Sequence, residues 1–345
     1  MLPRNEAPAA RTRLGRIAGA VLLMSVLWCA AGTARADEPR YLRVGTNPAG
    51  ETHFVMGGLI SSAISSPPGS PPCDKGGSCG VPGLIAVATA TSGNIATARA
   101  IGEGRIDMGL IQADLAAWAQ AGQSPFSDPV PGLRALGHLY NDQIHLVARR
   151  GANIKTPRDL RGKRVALGAR ESTTLLRAIE ILNIWGVRIG DIRASYLRST
   201  PAADAMVAGK LDAFFVIDAA PIPSVVELSR QFPIALVPLA GDGAVQMRKR
   251  NPLLVPAEIP ASAYDGLPDA VPTLAVPLDL VASAKLPDDL AYAITAALWN
   301  PATARQLSDG HPAGARMRLG DAAQDTGIPL HPGAARFYKE KNVRE

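Results

Sequence analysis

The sequence predicts an α/β protein of two lobes, each a mainly parallel sheet flanked by helices. A strand–loop–helix pattern occurs three times between about residues 41 and 118, which is typical of a mainly parallel sheet. A second series of the same kind runs from residue 163 to residue 238. The 345 residues include 33 glycines and 29 prolines, which favours short elements joined by loops over a long helical bundle.

In the first series, runs rich in β-branched residues predict strands. Between them, segments whose apolar residues recur at helical spacing predict helices. Its predicted elements are a strand at 41–45, a helix at 52–64, a strand at 84–90, a helix opening at 91–94, a strand at 106–111 and a helix from 112 through 118. Two separate strands, at 133–140 and 144–149, are predicted next.

The second series gives the other lobe, and the tail returns to the first. Strands are predicted at 163–167, 194–197, 211–217 and 234–238, with helices at 175–185, at 201–208 and after Pro221. In the tail a strand at 273–283 and a helix at 288–299 stand among loops and short helices. We expect one lobe to comprise 37–145 and 240–345 and the other 146–239, with two crossings that form a hinge beside a central cleft.

An export signal is predicted at residues 1–36. Four arginines at positions 4–16 precede an apolar run at 17–32 and the small-residue site Ala34-Arg35-Ala36. A membrane anchor is the alternative, but the run is shorter than the roughly 20 residues that a spanning helix needs. We expect cleavage after about Ala36 and a periplasmic protein.

The charge balance changes with that signal. It holds five arginines and Glu6, so the formal net charge falls from +6 to about +2 on cleavage. Only 19% of residues are charged, which argues against a polybasic surface. We therefore expect no nucleic-acid partner.

Cys73 and Cys79 lie in a stretch rich in proline, glycine and serine, at 65–80. In an exported protein such a pair is predicted to form a disulfide. Closing this short loop stabilises the fold by about 2.4 kcal/mol on the chain-entropy model. A metal pair and a redox pair are the alternatives; no histidine lies nearby, and the spacing is wider than in redox motifs.

The loops that follow the predicted strands are the candidate binding site, because ligands of open parallel sheets bind beyond the carboxyl ends of the strands. Most of these loops begin a helix, and a helix N-terminus suits an anion. Serine, threonine and asparagine there are also ordinary helix caps, and that alternative stays open for each. The candidate ligand-binding residues are Thr46, Asn47, Glu51, Thr52, His53, Thr91, Ser92, Asn94, Gln112, Asp114, Arg170, Ser172, Thr173, Thr174 and Asp218.

Common enzyme signatures are missing from the sequence. It has no P-loop, HExxH motif, nucleophile elbow or dinucleotide fingerprint, and none of its five histidines pairs at metal-ligand spacing. A Ser/His/Asp set drawn from distant residues is the alternative. We expect no catalysis, cofactor or metal.

A series of short motifs resembles the TAXI family, the extracytoplasmic solute-binding subunits associated with TRAP transporters. The resemblance covers roughly residues 41–300. Its motifs are Val44-Gly45-Thr46, Thr91-Ser92-Gly93-Asn94, GLIQAD at 109–114, LRGKRVALG at 160–168, LDAFFV at 211–216 and VPTLAVP at 271–277.

The resemblance implies a periplasmic-binding-protein fold that closes on a small solute and delivers it to the membrane permease of a TRAP transporter. It also implies an acidic ligand, such as glutamate, a related dicarboxylate or a 2-oxoacid. We expect a monomer. A receptor that reports ligand occupancy to a membrane signalling protein is the alternative function.

Two departures from the family pattern add charge of both signs. Glu51 stands before Thr52 and His53 in the first loop, and Arg170 and Glu171 stand where glycine and serine are usual. Arg170 is a candidate clamp for a carboxylate. Glu51, Asp114 and Asp218 are candidates to face an ammonium group, and an amino acid carries both groups.

Overall fold

The computed structural model describes residues 39–324 and 326–344. The predicted export signal, with Cys29, lies outside the described residues. Among the helices described, none is both long enough and apolar enough to cross a membrane.

A mixed sheet of ten strands forms the centre of the described structure, and β2 and β3 form a separate short pair. Parallel strands lie toward both edges, with β4-β1-β5 on one side and β9-β7-β8 on the other. The long strands β12 and β6 run antiparallel to their neighbours between these two groups. The strands are β1 Arg40–Thr46, β2 Ser65–Ser66, β3 Val81–Pro82, β4 Leu84–Ala90, β5 Met108–Gln112, β6 Leu133–Arg149, β7 Arg164–Ala166, β8 Arg193–Ser195, β9 Ala213–Asp218, β10 Ile234–Leu236, β11 Val255–Ile259 and β12 Val271–Ser283.

The helices flank this sheet, and most begin in the loops that follow its parallel strands. They are α1 Thr52–Ile64, α2 Asn94–Gly102, α3 Ala113–Ala121, α4 Thr173–Ile184, α5 Ser199–Val207, α6 Pro223–Gln231, α7 Gly241–Arg250, α8 Asp288–Leu298, α9 Pro301–Gly310 and α10 Pro332–Glu340. The predicted α/β fold class with two lobes is confirmed.

The prediction of two strands at 133–140 and 144–149 is wrong, because β6 is continuous through the polar residues between them. Asn141, Asp142 and Gln143 pair with β12 at 275–277. This pairing satisfies the backbone groups of a segment whose side chains alone suggested a loop.

Separate hydrophobic cores mark the two lobes. Val44, Met56 and Leu280 belong to the core of the first lobe. Leu146 and Met247 share a core in the second lobe. Strands β6 and β12 each contribute one half to the core of the first lobe and the other half to the core of the second. These two strands are therefore the crossings between the lobes.

Residues 241–276 pack with the second lobe. Leu254, Leu274 and Val276 lie in its core, whereas Leu278 lies in the core of the first lobe. The sequence prediction ended the second lobe at residue 239. We propose instead that the return crossing lies near Pro277.

The predicted disulfide between Cys73 and Cys79 is present, with the two Cα atoms 4.7 Å apart. Its loop lies between α1 and β3. Neither cysteine lies near the candidate site described next.

Candidate functional site

A narrow cavity of about 30 Å³, partly open to solvent, lies between loops of the two lobes. These loops follow the carboxyl ends of β1, β4, β7 and β8, as expected for an open parallel sheet. The lining residues are Asn47, Pro48, Glu51, Ser92, Gly93, Asn94, Gly168, Ala169, Ser172, Thr173, Thr174, Arg198, Ser199, Phe215, Val216 and Ile217.

The wall from the first lobe is built from amides and one carboxylate. Asn47 Nδ2 donates to Glu51 Oε2 at 2.9 Å, and Asn94 Nδ2 donates to Asn47 Oδ1 at 3.1 Å. The backbone N–H of Gln112 donates to Asn94 Oδ1 at 2.8 Å. This chain of hydrogen bonds fixes the orientation of each amide and presents the Glu51 carboxylate at the cavity.

The wall from the second lobe is built from the N-termini of α4 and α5. Ser172 caps α4, since its Oγ accepts the Leu175 N–H at 3.1 Å and donates to the Ala169 carbonyl at 2.7 Å. The N–H groups of Thr173 and Thr174 belong to the first turn, where an α-helix supplies no partner for them. Free N–H groups and the positive end of the helix dipole favour an anion on this wall.

Gly168 brings the backbone close to that helix. Its φ is +96°, and a Cβ there would lie 2.8 Å from the Thr174 side chain. A larger residue would be strained and would displace the start of α4 from the cavity.

The lobes also touch inside the cleft, at what we call the cleft contact: Gly50, Glu51, Ser199, Thr200 and Ser224. Ser224 N–H donates to the Gly50 carbonyl at 3.2 Å, and Ser199 Oγ donates to Glu51 Oε1 at 3.5 Å. Both are long hydrogen bonds, so this contact is weak. Burial raises the pKa of Glu51, and the attraction of His53 offsets part of that rise.

Beneath the first-lobe wall lies the floor cluster: His53, Asp142 and Asp218. All three side chains are fully buried. His53 Nε2 lies 2.8 Å from Asp142 Oδ2 and 3.5 Å from Asp218 Oδ1. Burial lowers the pKa of His53, but the negative charges of Asp142 and Asp218 outweigh it and raise the pKa to about 9.

Neutral donors hold both carboxylates of the floor cluster in place. Asp218 accepts the N–H of Thr52 at 2.5 Å and of Ala219 at 2.8 Å, and Asp142 accepts Gln112 Nε2 at 3.0 Å. Burial raises the pKa of Asp218, and the nearby Asp142 raises it further against the opposing charge of His53. The floor cluster thus joins α1 of the first lobe to β9 of the second.

A third group also connects the lobes; we call it the latch, and it comprises Asp114, Arg177 and Asn251. Arg177 on α4 forms an ion pair with Asp114 at the start of α3, and Asn251 Nδ2 donates to Asp114 Oδ2 at 2.6 Å. The Arg177 guanidinium also lies over the ring of Trp118 and pairs with Glu180. The Asp114 and Arg177 side chains are nearly fully buried, 2% and 7% exposed.

The structure brings most of the predicted site residues to one place, at different depths. Seven line the cavity: Asn47, Glu51, Ser92, Asn94, Ser172, Thr173 and Thr174. Four lie beneath it in the floor cluster or bonded to it: Thr52, His53, Gln112 and Asp218.

Four others lie away from the lining. Thr46 and Thr91 stabilise the loops after β1 and β4, where Thr91 Oγ1 donates to the Thr46 carbonyl at 2.9 Å. Asp114 is occupied by Arg177 in the latch. Arg170 is exposed, and its guanidinium lies over the Tyr196 ring, 4.2 Å from the centroid.

Sequence reasoning missed Asp142, Arg198 and Ser199 at the site, and Arg177 and Asn251 in the latch. Asp142 carried a usable signal, because it is an acid between two apolar, β-rich runs that the sequence predicts as strands. Arg198 and Ser199 directly follow a predicted strand, which is where a binding loop belongs. Arg177 and Asn251 gave no local signal, since only the closed arrangement of the lobes brings them to Asp114.

A sequence model of the NMT1-like family matches residues 44–341 of this chain. Solved structures similar to it include the alkanesulfonate-binding protein SsuA from Xanthomonas axonopodis pv. citri bound to MOPS, at 18% identity over 88% of this chain and 85% of that one, with a TM-score of 0.42. The periplasmic aliphatic sulphonate binding protein SsuA from Escherichia coli matches at 16% identity over 88% and 84%, with a TM-score of 0.44. An ancestral arginine-binding protein bound to arginine matches at 14% over 78% and 97%, with a TM-score of 0.43. Likenesses this distant give no information on the ligand of this chain.

Proposed function

The chain belongs to the NMT1-like family, and we propose that it is an extracytoplasmic receptor that captures a small, carboxylate-bearing solute between its lobes. The solute is an amino acid, a dicarboxylate or a 2-oxoacid. The receptor then delivers it to the permease of a TRAP-type transporter, as the resemblance to the TAXI family implies.

One observation carries the proposal: the first turn of α4 faces the cavity with N–H groups that the helix itself does not use. Thr173 and Thr174 line the cavity, and Ser199 begins α5 on the same wall. Arg198 adds a positive charge at the mouth. This wall supplies the hydrogen-bond donors and the potential that a carboxylate requires.

The opposite wall supplies acceptors. Glu51 and the oriented amides of Asn47 and Asn94 suit an ammonium group or a hydroxyl of the same solute. A receptor needs such polar groups placed to fix the orientation of a small ligand.

The ligand is best sought directly. Mass spectrometry of small molecules carried through purification identifies a resident solute. A thermal-shift screen of amino acids, dicarboxylates and 2-oxoacids then ranks the classes, because a ligand that binds only the folded state raises its melting temperature. A screen in which no compound shifts the melting temperature contradicts the proposal.

The α4 N-terminus is tested by a matched pair, Thr173→Ala and Thr173→Pro. Both remove the hydroxyl, but only proline removes the N–H. Proline is tolerated at the first helical position, as Pro223, Pro301 and Pro332 show in this chain, and Ser172 already has the extended backbone that a following proline needs. A hydrogen bond to a charged group contributes about 1.5–3 kcal/mol, so T173P should bind the solute about 10- to 100-fold more weakly than T173A.

Isothermal titration calorimetry of the two variants gives the comparison. Equal affinities would place the carboxylate elsewhere, even if the receptor function holds.

A further inference from the structure

We propose that the floor cluster is a binding site for a divalent transition-metal ion, with His53 Nε2 and one carboxylate oxygen from each of Asp142 and Asp218 as its ligands. The proposal is independent of the solute bound in the cleft. It concerns three residues that are distant in sequence and that the fold brings together on α1, β6 and β9.

The three side chains are close enough together to hold one metal ion. The three ligand atoms lie within 4.8 Å of one another. In a tetrahedral site with Zn²⁺–N and Zn²⁺–O bonds of about 2.1 Å, neighbouring ligand atoms are about 3.4 Å apart. The observed 2.8 Å and 3.5 Å from His53 Nε2 bracket that value. A single imidazole N–H, in contrast, can serve only one of the two carboxylates well.

Buried polar atoms without hydrogen-bond partners, at and beside the floor cluster, give a second indication of a bound ion. Among the described residues, the Tyr140 hydroxyl and Asp142 Oδ1 are buried and have no hydrogen-bond partner. Tyr140 precedes Asp142 by two positions on β6, so the two side chains share a face of the strand.

One imidazole and two carboxylates form a donor set for Zn²⁺, Mn²⁺ or Fe²⁺ rather than for the all-oxygen sites of Ca²⁺ and Mg²⁺. Hydrogen bonds from Gln112, Thr52 and Ala219 hold the carboxylates, as outer-shell groups hold metal ligands. A bound ion would tie α1 of the first lobe to β9 of the second.

The test is Zn²⁺ binding to the chelator-treated, full-length mature protein, measured by calorimetry and by metal analysis after dialysis. We expect one ion per chain in the wild type and at least 100-fold weaker binding in Asp142→Asn and Asp218→Asn, which keep side-chain shape. The matched control is Asp279→Asn. Asp279 is a fully buried carboxylate 3.7 Å from His138, in a pair without a third ligand, so its removal should leave Zn²⁺ binding unchanged.

We expect little Zn²⁺ binding by surface imidazoles, because all five histidines lie in the described part of the chain and none is exposed. Circular dichroism checks that each variant folds. If the cluster variants do not fold, Co²⁺ in the wild type gives a second readout, since N/O ligation of low coordination number produces intense visible bands. Absence of Zn²⁺ binding at 100-fold molar excess, unchanged binding in D142N, or wild-type Co²⁺ spectra of the hydrated ion would each overturn the proposal.

Discussion

The two lobes meet at the latch and at the cleft contact, and these regions differ in the strength of the interactions that join the lobes. In the latch, Arg177 has a carboxylate on each side and an aromatic ring beneath it. In the cleft contact, the hydrogen bonds are 3.2 Å and 3.5 Å long. The latch therefore contributes more to lobe closure than the cleft contact does, which leaves the donors and acceptors of the cavity free for a solute.

The largest effect is expected from a variant that breaks the latch. Arg177→Met leaves the buried Asp114 carboxylate without its cation, which should lower the free energy of unfolding by about 3–5 kcal/mol in urea titrations. The double variant Asp114→Leu/Arg177→Met removes both charges and should recover most of that loss. A single variant as stable as the wild type would show that the latch does not stabilise the closed arrangement.

The disulfide lies outside both contacts and serves as a reference for the effect of stability alone. Cys73→Ser/Cys79→Ser should lower the free energy of unfolding by about 2.4 kcal/mol through the entropy of the unfolded chain. Solute affinity, measured by calorimetry, should be unchanged. A change in affinity would mean that a loss of global stability alone weakens binding. The affinities of the latch variants would then have to be corrected for their own loss of stability.

The cleft contact is tested by Gly50→Ala. Gly50 has φ +91°, and an added Cβ would collide with Oγ1 of Thr200 in the other lobe. The positive φ alone should cost about 1–2 kcal/mol of unfolding free energy. The double variant Gly50→Ala/Thr200→Ala relieves the collision and keeps only the backbone cost. The single and double variants should therefore differ more in solute affinity than in the free energy of unfolding.

The smallest effect is expected for Glu51→Gln, which keeps an acceptor oxygen for Asn47 and places an amide NH₂ beside Ser199, whose hydroxyl can accept from it. At pH 7 the unfolding free energy should change by less than about 1 kcal/mol. Burial raises the folded-state pKa of Glu51 above 4.5, so its contribution to stability is present below that pH and is lost as pH rises through the raised pKa. The stability of the wild type relative to the variant should thus fall as pH rises from 4.5, in urea titrations across that range; a rise would contradict the assignment.

The sequence predicted the elements well where the local pattern was complete. The helix at 52–64 and the strand at 84–90 match the structure residue for residue, because helical spacing and β-branched runs define them locally. Between 141 and 143 the prediction failed, because the pairing with β12 overrides three polar side chains and depends on residues more than 130 positions away.

The sequence was sufficient to predict which loops form the candidate site, but not which of their charged side chains face the cavity. Loops after parallel strands indicated Asn47, Glu51 and Asn94 as ligand-binding residues; the structure places all three in the cavity lining, and ligand binding by them stays a prediction. Arg170 and Asp114 have the charges that a ligand would need, yet one stacks on Tyr196 and the other binds Arg177. Their partners come from other segments, so no local pattern distinguishes them from ligand-binding groups.

The continuous strands β6 and β12 set how the lobes can move. Both crossings belong to one hydrogen-bonded ribbon, with register irregularities at Leu278/Asp279 and Leu280/Val281 on the side of the first lobe. A ribbon of this kind bends and twists while its ladder stays intact, and bulges are its compliant points. Opening should therefore be an elastic deflection of small amplitude, in which the backbone amides of Asn141, Asp142 and Gln143 remain protected from hydrogen exchange throughout the cycle.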